Sequence, residues 1–169
     1  NEILEDFLSL GKLDEGKVES QTVELDLHAF LSEIIEEMKG LLKEGQHTAL
    51  TYEGNRVIMS DKKLLKNIFI NLVTNAIKFS PPDSAIGITA AVNTHQAIIS
   101  ITDKGIGMAE EDQQHLFSSF FRGANALNIQ GTGLGLHIVK RYIDLLEGSV
   151  EIKSKLNEGT TVTITIPVN

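Results

Sequence analysis

The stretch DKKLLKNIFINLVTNAIKFSPP, residues 61–82, contains a long helical pattern. Asp61 is a residue type that caps helix N-termini, and Pro81 with Pro82 ends a helix because proline lacks a backbone N–H. We therefore predict one long helix whose apolar face is buried in a core. That face consists of Leu64, Leu65, Ile68, Leu72 and Val73.

Three polar residues of this helix border its apolar face. At about 100° per residue, Asn71, Asn75 and Lys78 fall within roughly 60° of arc. Asparagine is a mediocre helix former, so two of them one turn apart indicate a use other than helix stability. Their amide oxygens suit Mg²⁺ and the lysine suits a phosphate. For this stripe alone, a polar rim that faces solvent is the alternative.

Two strands follow, IGITAAV (86–92) and AIISITD (97–103), with alternating apolar residues. An acid that continues the apolar row of a strand needs a donor, such as the amino group of a heterocycle. Thr160 continues a similar row in the last strand, so its hydroxyl and the Asp103 carboxylate are candidates for one ligand edge. A local turn capped by Asp103 is the alternative. The row that ends in this acid is Ala97, Ile99, Ile101 and Asp103.

Two glycine-rich stretches accompany these strands. Gly105 and Gly107 allow a ring to lie against the backbone. The stretch GTGLGL (131–136) runs directly into an amphipathic helix, yet it lacks both the third glycine of a dinucleotide fingerprint and the Gly-Lys-Ser/Thr of a Walker loop. Exposed amides and a helix N-terminus at Gly135 still favour an anion. A flexible linker is the alternative for this stretch alone.

Composition sets the limits for the whole chain. Its 169 residues allow one substantial core, and its formal net charge of −8 argues against a nucleic-acid binder. It has no cysteine, which excludes disulfides and thiolate metal sites. The order of the elements predicts an α+β fold, a mainly antiparallel sheet with helices on one face. Upstream we predict a helix over about 26–43 and a short hairpin around Gly54 and Asn55.

Four segments in this order, NIFINLVTNAIKFS, DKGIGM, LFSSFFRG and GTGLGLHIVK, resemble the N, G1, F and G2 boxes of sensor histidine kinases. The resemblance covers roughly residues 24–168. It implies the catalytic ATP-binding domain of the GHKL superfamily, which is shared with DNA gyrase B, mismatch-repair ATPases and heat-shock chaperones. The implied fold is a two-layer α/β sandwich with a mixed, mostly antiparallel sheet and three main helices on one face. The implied ligands are ATP and Mg²⁺.

The resemblance also implies roles at the phosphate end of the site. Asn75 would be the principal Mg²⁺ ligand, Asn71 would assist at the metal or the phosphates, and Lys78 would contact phosphate. Arg122 resembles a basic residue that approaches the γ-phosphate, and residues 123–131 resemble a mobile lid. The implied phosphate cradle consists of Gly131, Thr132, Gly133, Leu134, Gly135 and Leu136.

At the base end, the resemblance implies that Phe79 packs on the adenine and that Asp103 accepts a hydrogen bond from the adenine amino group. Thr160 would support Asp103 through water, and Gly105 and Gly107 would shape the floor under the nucleotide.

One position separates branches of the superfamily. Gyrase-type hydrolases carry a glutamate at the place of Asn71, where it activates water. An amide is not a usable general base at neutral pH. We therefore expect slow ATP hydrolysis and transfer of the phosphoryl group to a histidine, which makes the parent a protein-histidine kinase of a two-component system.

The resemblance predicts that residues 1–20 are the tail of a dimerisation and phosphotransfer helix with a linker, and that residues 21–169 are the catalytic domain. None of the five histidines lies in an H-box, so we expect the phosphoacceptor outside this fragment and no autophosphorylation by the fragment alone. The expected partners are that missing domain and a response-regulator receiver domain. We expect a homodimeric parent, a monomeric or weakly dimeric fragment and a cytoplasmic location.

Two other functions compete with this prediction. A pseudokinase or interaction module would keep the fold without binding nucleotide, although every nucleotide-contact position has a plausible residue. An anti-sigma-type serine kinase would share the fold, but the N-terminal tail and the full LFSSFFRG segment argue against it.

Overall fold

The structure is a computed structural model, and it describes residues 8, 11–13, 15–16, 19–113, 115 and 135–169. Its strands are β1 (Val23–Asp26), β2 (His47–Gly54), β3 (Val57–Ser60), β4 (Ala85–Val92), β5 (Gln96–Asp103), β6 (Ser149–Lys155) and β7 (Gly159–Pro167). Its helices include α1 (Leu27–Glu37), α2 (Lys62–Phe79), α3 (Glu110–Gln113) and α4 (Gly135–Leu145), with a 3₁₀ turn at Met38–Leu41.

The main sheet has five strands in the order β2-β4-β5-β7-β6. Strands β2 and β4 are parallel, and the other three pairs are antiparallel. Strands β1 and β3 form a separate antiparallel pair. The mixed, mostly antiparallel sheet of the predicted α+β fold is therefore confirmed.

The core lies between one face of this sheet and the helices. Helix α2 packs against α4 and β5, and α4 also contacts β6. Alternation along β4 and β5 buries every second side chain, as predicted. The buried sheet residues include Ile86, Ile88, Ala90, Val92, Ala97, Ile99, Ile101, Ile164 and Ile166, and the predicted face of α2 is buried throughout: Leu64, Leu65, Ile68, Leu72 and Val73.

Helix α2 has the boundaries that its sequence predicts. The Oδ1 atom of Asp61 accepts a hydrogen bond from the Leu64 amide at 3.0 Å, and its Oδ2 atom accepts one from the Gln21 amide at 2.6 Å. The helix ends at Phe79 because Ser80 takes the extended backbone that a following proline requires.

Two local predictions upstream are wrong. Strands β2 and β3 do not form a hairpin, since β2 pairs with β4 and β3 pairs with β1. Gly54 has a φ of 95°, and the Asn55 amide donates to the Val92 carbonyl, so the chain leaves the sheet there. The helix predicted over 26–43 ends as α1 at Glu37, before the 3₁₀ turn that contains Gly40.

Within the part of the chain that the structure describes, no helix is both long enough and apolar enough to cross a lipid bilayer.

Candidate functional site

The first polar residue of the α2 stripe lies beside the start of α4. The side-chain nitrogen of Asn71 donates to the main-chain oxygen of Asn67 at 2.9 Å and to its Oδ1 atom at 2.7 Å. A Cβ atom placed on Gly135 would lie 3.4 Å from the Asn71 Oδ1 atom. The structure thus joins two stretches that are 64 residues apart, and Asn67, which the sequence interpretation did not single out, holds the amide.

Asn75 and Lys78 follow on the same side of α2, and both are half-buried. With a rise of about 1.5 Å per residue, they lie roughly 6 Å and 10 Å along the helix axis from Asn71. The stripe therefore starts at α4 and runs toward the C-terminal end of α2. Its amide oxygens and one ammonium group are donor types that fit a magnesium ion and phosphates.

Asp103 closes a buried row of β5 at the other end of this region. It is half-buried, its partner in β7 is Thr160, and its Oδ1 atom accepts from the Gly105 amide at 2.8 Å. Burial raises the pKa of this carboxyl group, and the amides of Gly105 and Thr160 oppose that rise. The acid therefore both caps a local turn and continues the apolar row, so these two interpretations are compatible.

Ser154 and Gln113 belong to this end of the site, although the sequence interpretation did not single them out. The Ser154 hydroxyl lies 2.7 Å from the Thr160 hydroxyl and accepts from the Met108 amide at 2.9 Å. The Gln113 side-chain amide donates to the main-chain oxygens of Met108 and Ser154 at 3.2 and 3.0 Å. The register of the β6–β7 hairpin, which pairs Ser154 with Thr160, is the signal that points to the serine.

The two glycines after Asp103 have a clear packing reason. A Cβ atom on Gly105 would overlap the carbonyl oxygen of Phe79, and the next amide, that of Ile106, donates to that oxygen at 3.1 Å. Gly107 has a φ of 66° and lies against the main chain of Lys155. These contacts alone require glycine at both positions. They therefore do not test the predicted role of the two glycines in a nucleotide floor, which stays a prediction.

The remaining predicted positions fall into two groups. Gly135 and Leu136 begin α4, where Leu136 packs against the core. Arg122, the predicted lid 123–131 and the rest of the glycine-rich cradle, namely Gly131, Thr132, Gly133 and Leu134, lie outside the described residues. Across the described ranges, no three His, Asp or Glu side chains gather in a way that could hold a metal ion.

Helix α2 connects the two ends of the region. Phe79 is eight residues beyond Asn71, about 12 Å along the axis, and its carbonyl oxygen contacts the loop that follows Asp103. One end thus offers a half-buried acceptor beside glycine backbone. The other offers amides next to the N-terminus of α4, which favours anions. Such a pair of ends fits a flat heterocycle that carries a chain of phosphates.

Comparisons with known sequences give a matching family profile and a set of similar proteins. The profile of the histidine kinase-, DNA gyrase B- and HSP90-like ATPases matches residues 60–169. The circadian input-output histidine kinase CikA of Synechococcus elongatus is 32% identical over 172 residues, which cover 98% of this chain and 23% of that protein. The signal transduction histidine-protein kinase ArlS of Staphylococcus aureus is 32% identical over 164 residues, which cover 96% and 36%. The chain spans well under half the length of these relatives.

Solved structures agree on the fold. The histidine kinase AdeS of Acinetobacter baumannii superposes with a TM-score of 0.80 at 24% identity, covering 98% of this chain and 77% of that one. Full-length ShkA in complex with AMPPNP gives a TM-score of 0.85 at 25% identity, covering 96% and 34%. The catalytic domain of the histidine kinase ThkA gives 0.72 at 24% identity, covering 88% and 98%.

Proposed function

Because this chain belongs to the histidine kinase-, DNA gyrase B- and HSP90-like ATPase family, we propose that it binds Mg-ATP and donates the γ-phosphoryl group to a histidine. It is homologous to sensor histidine kinases of two-component systems. The observation that carries the proposal is the placement of Asp103 and Asn71 at opposite ends of one region along α2, with Gly135 beside Asn71.

At the base end, Asp103 accepts from the adenine amino group. Its Oδ1 atom is already oriented by the Gly105 amide, so the carboxylate is fixed before nucleotide arrives. Thr160, held by Ser154, supports the same edge through water. Phe79, half-buried at the end of α2, packs on the ring. The preformed turn reduces the ordering that binding requires.

At the phosphate end, Asn75 and Asn71 would hold Mg²⁺ through their amide oxygens, and Lys78 contacts a phosphate. The fit rests on the Asn71 Oδ1 atom, which faces the start of α4 at Gly135, where a phosphate would also lie. When bound, Mg²⁺ neutralises charge on the phosphates. Arg122 and the 131–136 cradle complete the phosphate contacts in this proposal.

The reaction breaks the bond between the γ-phosphorus and the bridging oxygen, forms a phosphorus–nitrogen bond to an imidazole and leaves ADP. The protein mainly positions groups and stabilises charge in such a transfer. Asn71 has no basic group for the activation of water, so hydrolysis is slow and the phosphoryl group is kept for the histidine.

The acceptor histidine belongs to a dimerisation and phosphotransfer domain, and a response-regulator receiver domain takes the phosphoryl group next. In this proposal, the domain works in the cytoplasm as part of a homodimeric kinase, and residues 1–20 are the tail of the phosphotransfer helix followed by a linker.

Isothermal titration calorimetry with Mg-ATP, followed by transfer of labelled phosphate to a separately supplied phosphotransfer domain, tests the proposal. We expect saturable binding and an acid-labile, base-stable phosphohistidine on the supplied domain. The control is Asn75→Ala, which should lose the Mg²⁺-dependent part of the affinity and retain the part measured with EDTA. An absence of heat with millimolar nucleotide would instead favour the interaction module.

A further inference from the structure

The C-terminal end of α2 is capped by side chains from the segment that precedes β2. A helix end leaves its last four carbonyl groups without partners in the helix. Lys43 donates through its Nζ atom to the carbonyl oxygens of Lys78 and Ser80, at 2.9 and 2.6 Å. The Gln46 side-chain amide donates to the carbonyl oxygens of Ile77, Ser80 and Pro81, at 3.3, 3.2 and 3.2 Å.

The Phe79 carbonyl group at the same helix end accepts a hydrogen bond from the loop that follows Asp103, named here the Asp103 loop. Ile106 donates its amide to the carbonyl oxygen of Phe79 at 3.1 Å. The five carbonyl groups from residue 77 to residue 81 therefore all have donors, four from Lys43 or Gln46 and one from the loop. The capping side chains and the loop thus bind neighbouring carbonyl groups of one helix end. A shift of this helix end would therefore move both of them.

The capping segment is itself closed by local hydrogen bonds. The Lys43 amide donates to the Gln46 Oε1 atom at 2.8 Å, and the Gln46 amide donates to the Lys43 carbonyl at 3.0 Å. Gln46 is buried, with 7% of its surface exposed, and Lys43 is half-buried. A preorganised turn of this kind holds the helix end better than a flexible surface lysine, and its positive charge also suits the negative end of the helix dipole.

We propose that Lys43 and Gln46 are positioning residues for nucleotide binding. They fix the last turn of α2, which carries Lys78 and Phe79, and through the Phe79 carbonyl they fix the Asp103 loop. This inference rests on the proposed binding of Mg-ATP. Neither residue touches the nucleotide in this arrangement, since both act on the main chain behind the site.

The test compares Lys43→Met with a control at the opposite end of the same helix. Methionine keeps an unbranched side chain of nearly the same length and removes the donor. Asp61→Ala removes the N-terminal cap of α2, more than three turns from Lys78. Both variants should lower the melting temperature, but only Lys43→Met should weaken Mg-ATP binding. We expect a loss of roughly three- to tenfold, because Lys43 acts on the site through the main chain and only part of the free energy of its two hydrogen bonds reaches the nucleotide. The affinity of Asp61→Ala should stay within about twofold of wild type.

A second readout needs no nucleotide. Amide hydrogen exchange measured by NMR should speed up at Ile106 in Lys43→Met and remain unchanged at Leu64, whose amide is bound by Asp61. Asp61→Ala should give the reverse pattern. Gln46→Glu, which places carboxylate oxygens against the same carbonyl groups, should reproduce the loss of affinity and the faster exchange at Ile106.

The outcomes separate the two proposals. If wild-type protein binds no Mg-ATP, the proposed function fails. The exchange data would still test whether Lys43 and Gln46 hold the loop that follows Asp103. Wild-type affinity in both Lys43→Met and Gln46→Glu, unchanged exchange at Ile106, or an equal loss of affinity in Asp61→Ala would each overturn the positioning role.

Discussion

Replacing Asp103 with asparagine separates two effects of this buried acid: its contribution to nucleotide binding and its pH-dependent effect on the stability of the fold. The substitution keeps the size of the side chain and keeps an oxygen that can accept from the Gly105 amide, 2.8 Å away in the wild type. It also replaces the second carboxylate oxygen with an NH₂ group, which only donates. In Asp103→Asn, that group would face the adenine amino group as a second donor.

The expected loss of affinity follows from this exchange. A hydrogen bond to a charged acceptor contributes about 1.5–3 kcal/mol, which corresponds to a roughly 10- to 150-fold increase in the dissociation constant. Calorimetry with Mg-ATP near neutral pH measures it. A dissociation constant within a factor of two of wild type would remove Asp103 from the site.

The same substitution should weaken nucleotide binding but raise the melting temperature relative to wild type as pH increases. Burial raises the pKa of Asp103 above 3.8, so the folded state binds the proton more tightly than the unfolded state. The free energy of unfolding of the wild type therefore falls as pH rises from 3.8 through the raised pKa. Asparagine does not ionise. The melting temperature of Asp103→Asn should rise relative to wild type over this window and then level off.

Asp26→Asn is a control in which the difference in stability from wild type should depend on pH for the opposite reason, a lowered pKa instead of a raised one. The amide of Ala29 is the main cause that lowers the pKa of Asp26, so this acid stabilises the fold above pH 3.8 and loses that effect as pH falls through its lowered pKa. The deficit of Asp26→Asn should therefore shrink toward acid pH. Thermal unfolding of both variants from about pH 2 to pH 8 covers the acid window of Asp26 as well as the window of Asp103 and measures the two slopes. A gap between wild type and Asp103→Asn that does not change with pH would refute the burial argument.

Three further substitutions test other parts of the site. Gly105→Ala places a Cβ atom against the Phe79 carbonyl, so chemical denaturation should show a loss of about 1–3 kcal/mol, the usual range for overpacking. Ser154→Ala removes the acceptor of the Met108 amide, and the same assay should show a loss of about 1–3 kcal/mol; a value within error of wild type would contradict this bond. Asn71→Glu supplies a carboxylate base, so phosphate release without an acceptor should rise on the order of tenfold or more.

Local patterns predicted a large part of the fold. The capping aspartate and the two prolines gave the limits of α2, and two-residue alternation placed Asp103 at the end of the buried row of β5. Both signals lie within a few residues along the chain, where helix period and strand pleat act directly.

The parts that could not be predicted depend on distant pairing. The hairpin around Gly54 was wrong because β2 finds its partner in β4, across the whole of α2. Lys43 and Gln46 cap a helix end about 35 residues away, and Gln113 bonds to Ser154 41 residues away. Lysine and glutamine are common on protein surfaces, so the residue types alone do not indicate a capping role. The role becomes visible only when the topology shows that the end of α2 lies next to them.

The position of β7 has a consequence for how the chain is made. This strand comes after all the others in sequence, yet it lies between β5 and β6 in the sheet. While the ribosome is still adding residues 159–167, β5 and β6 each present an open edge to other molecules. The main-chain hydrogen-bonding groups at these edges find their partners only after β7 has left the exit tunnel, so until then the unfinished sheet can pair with other chains.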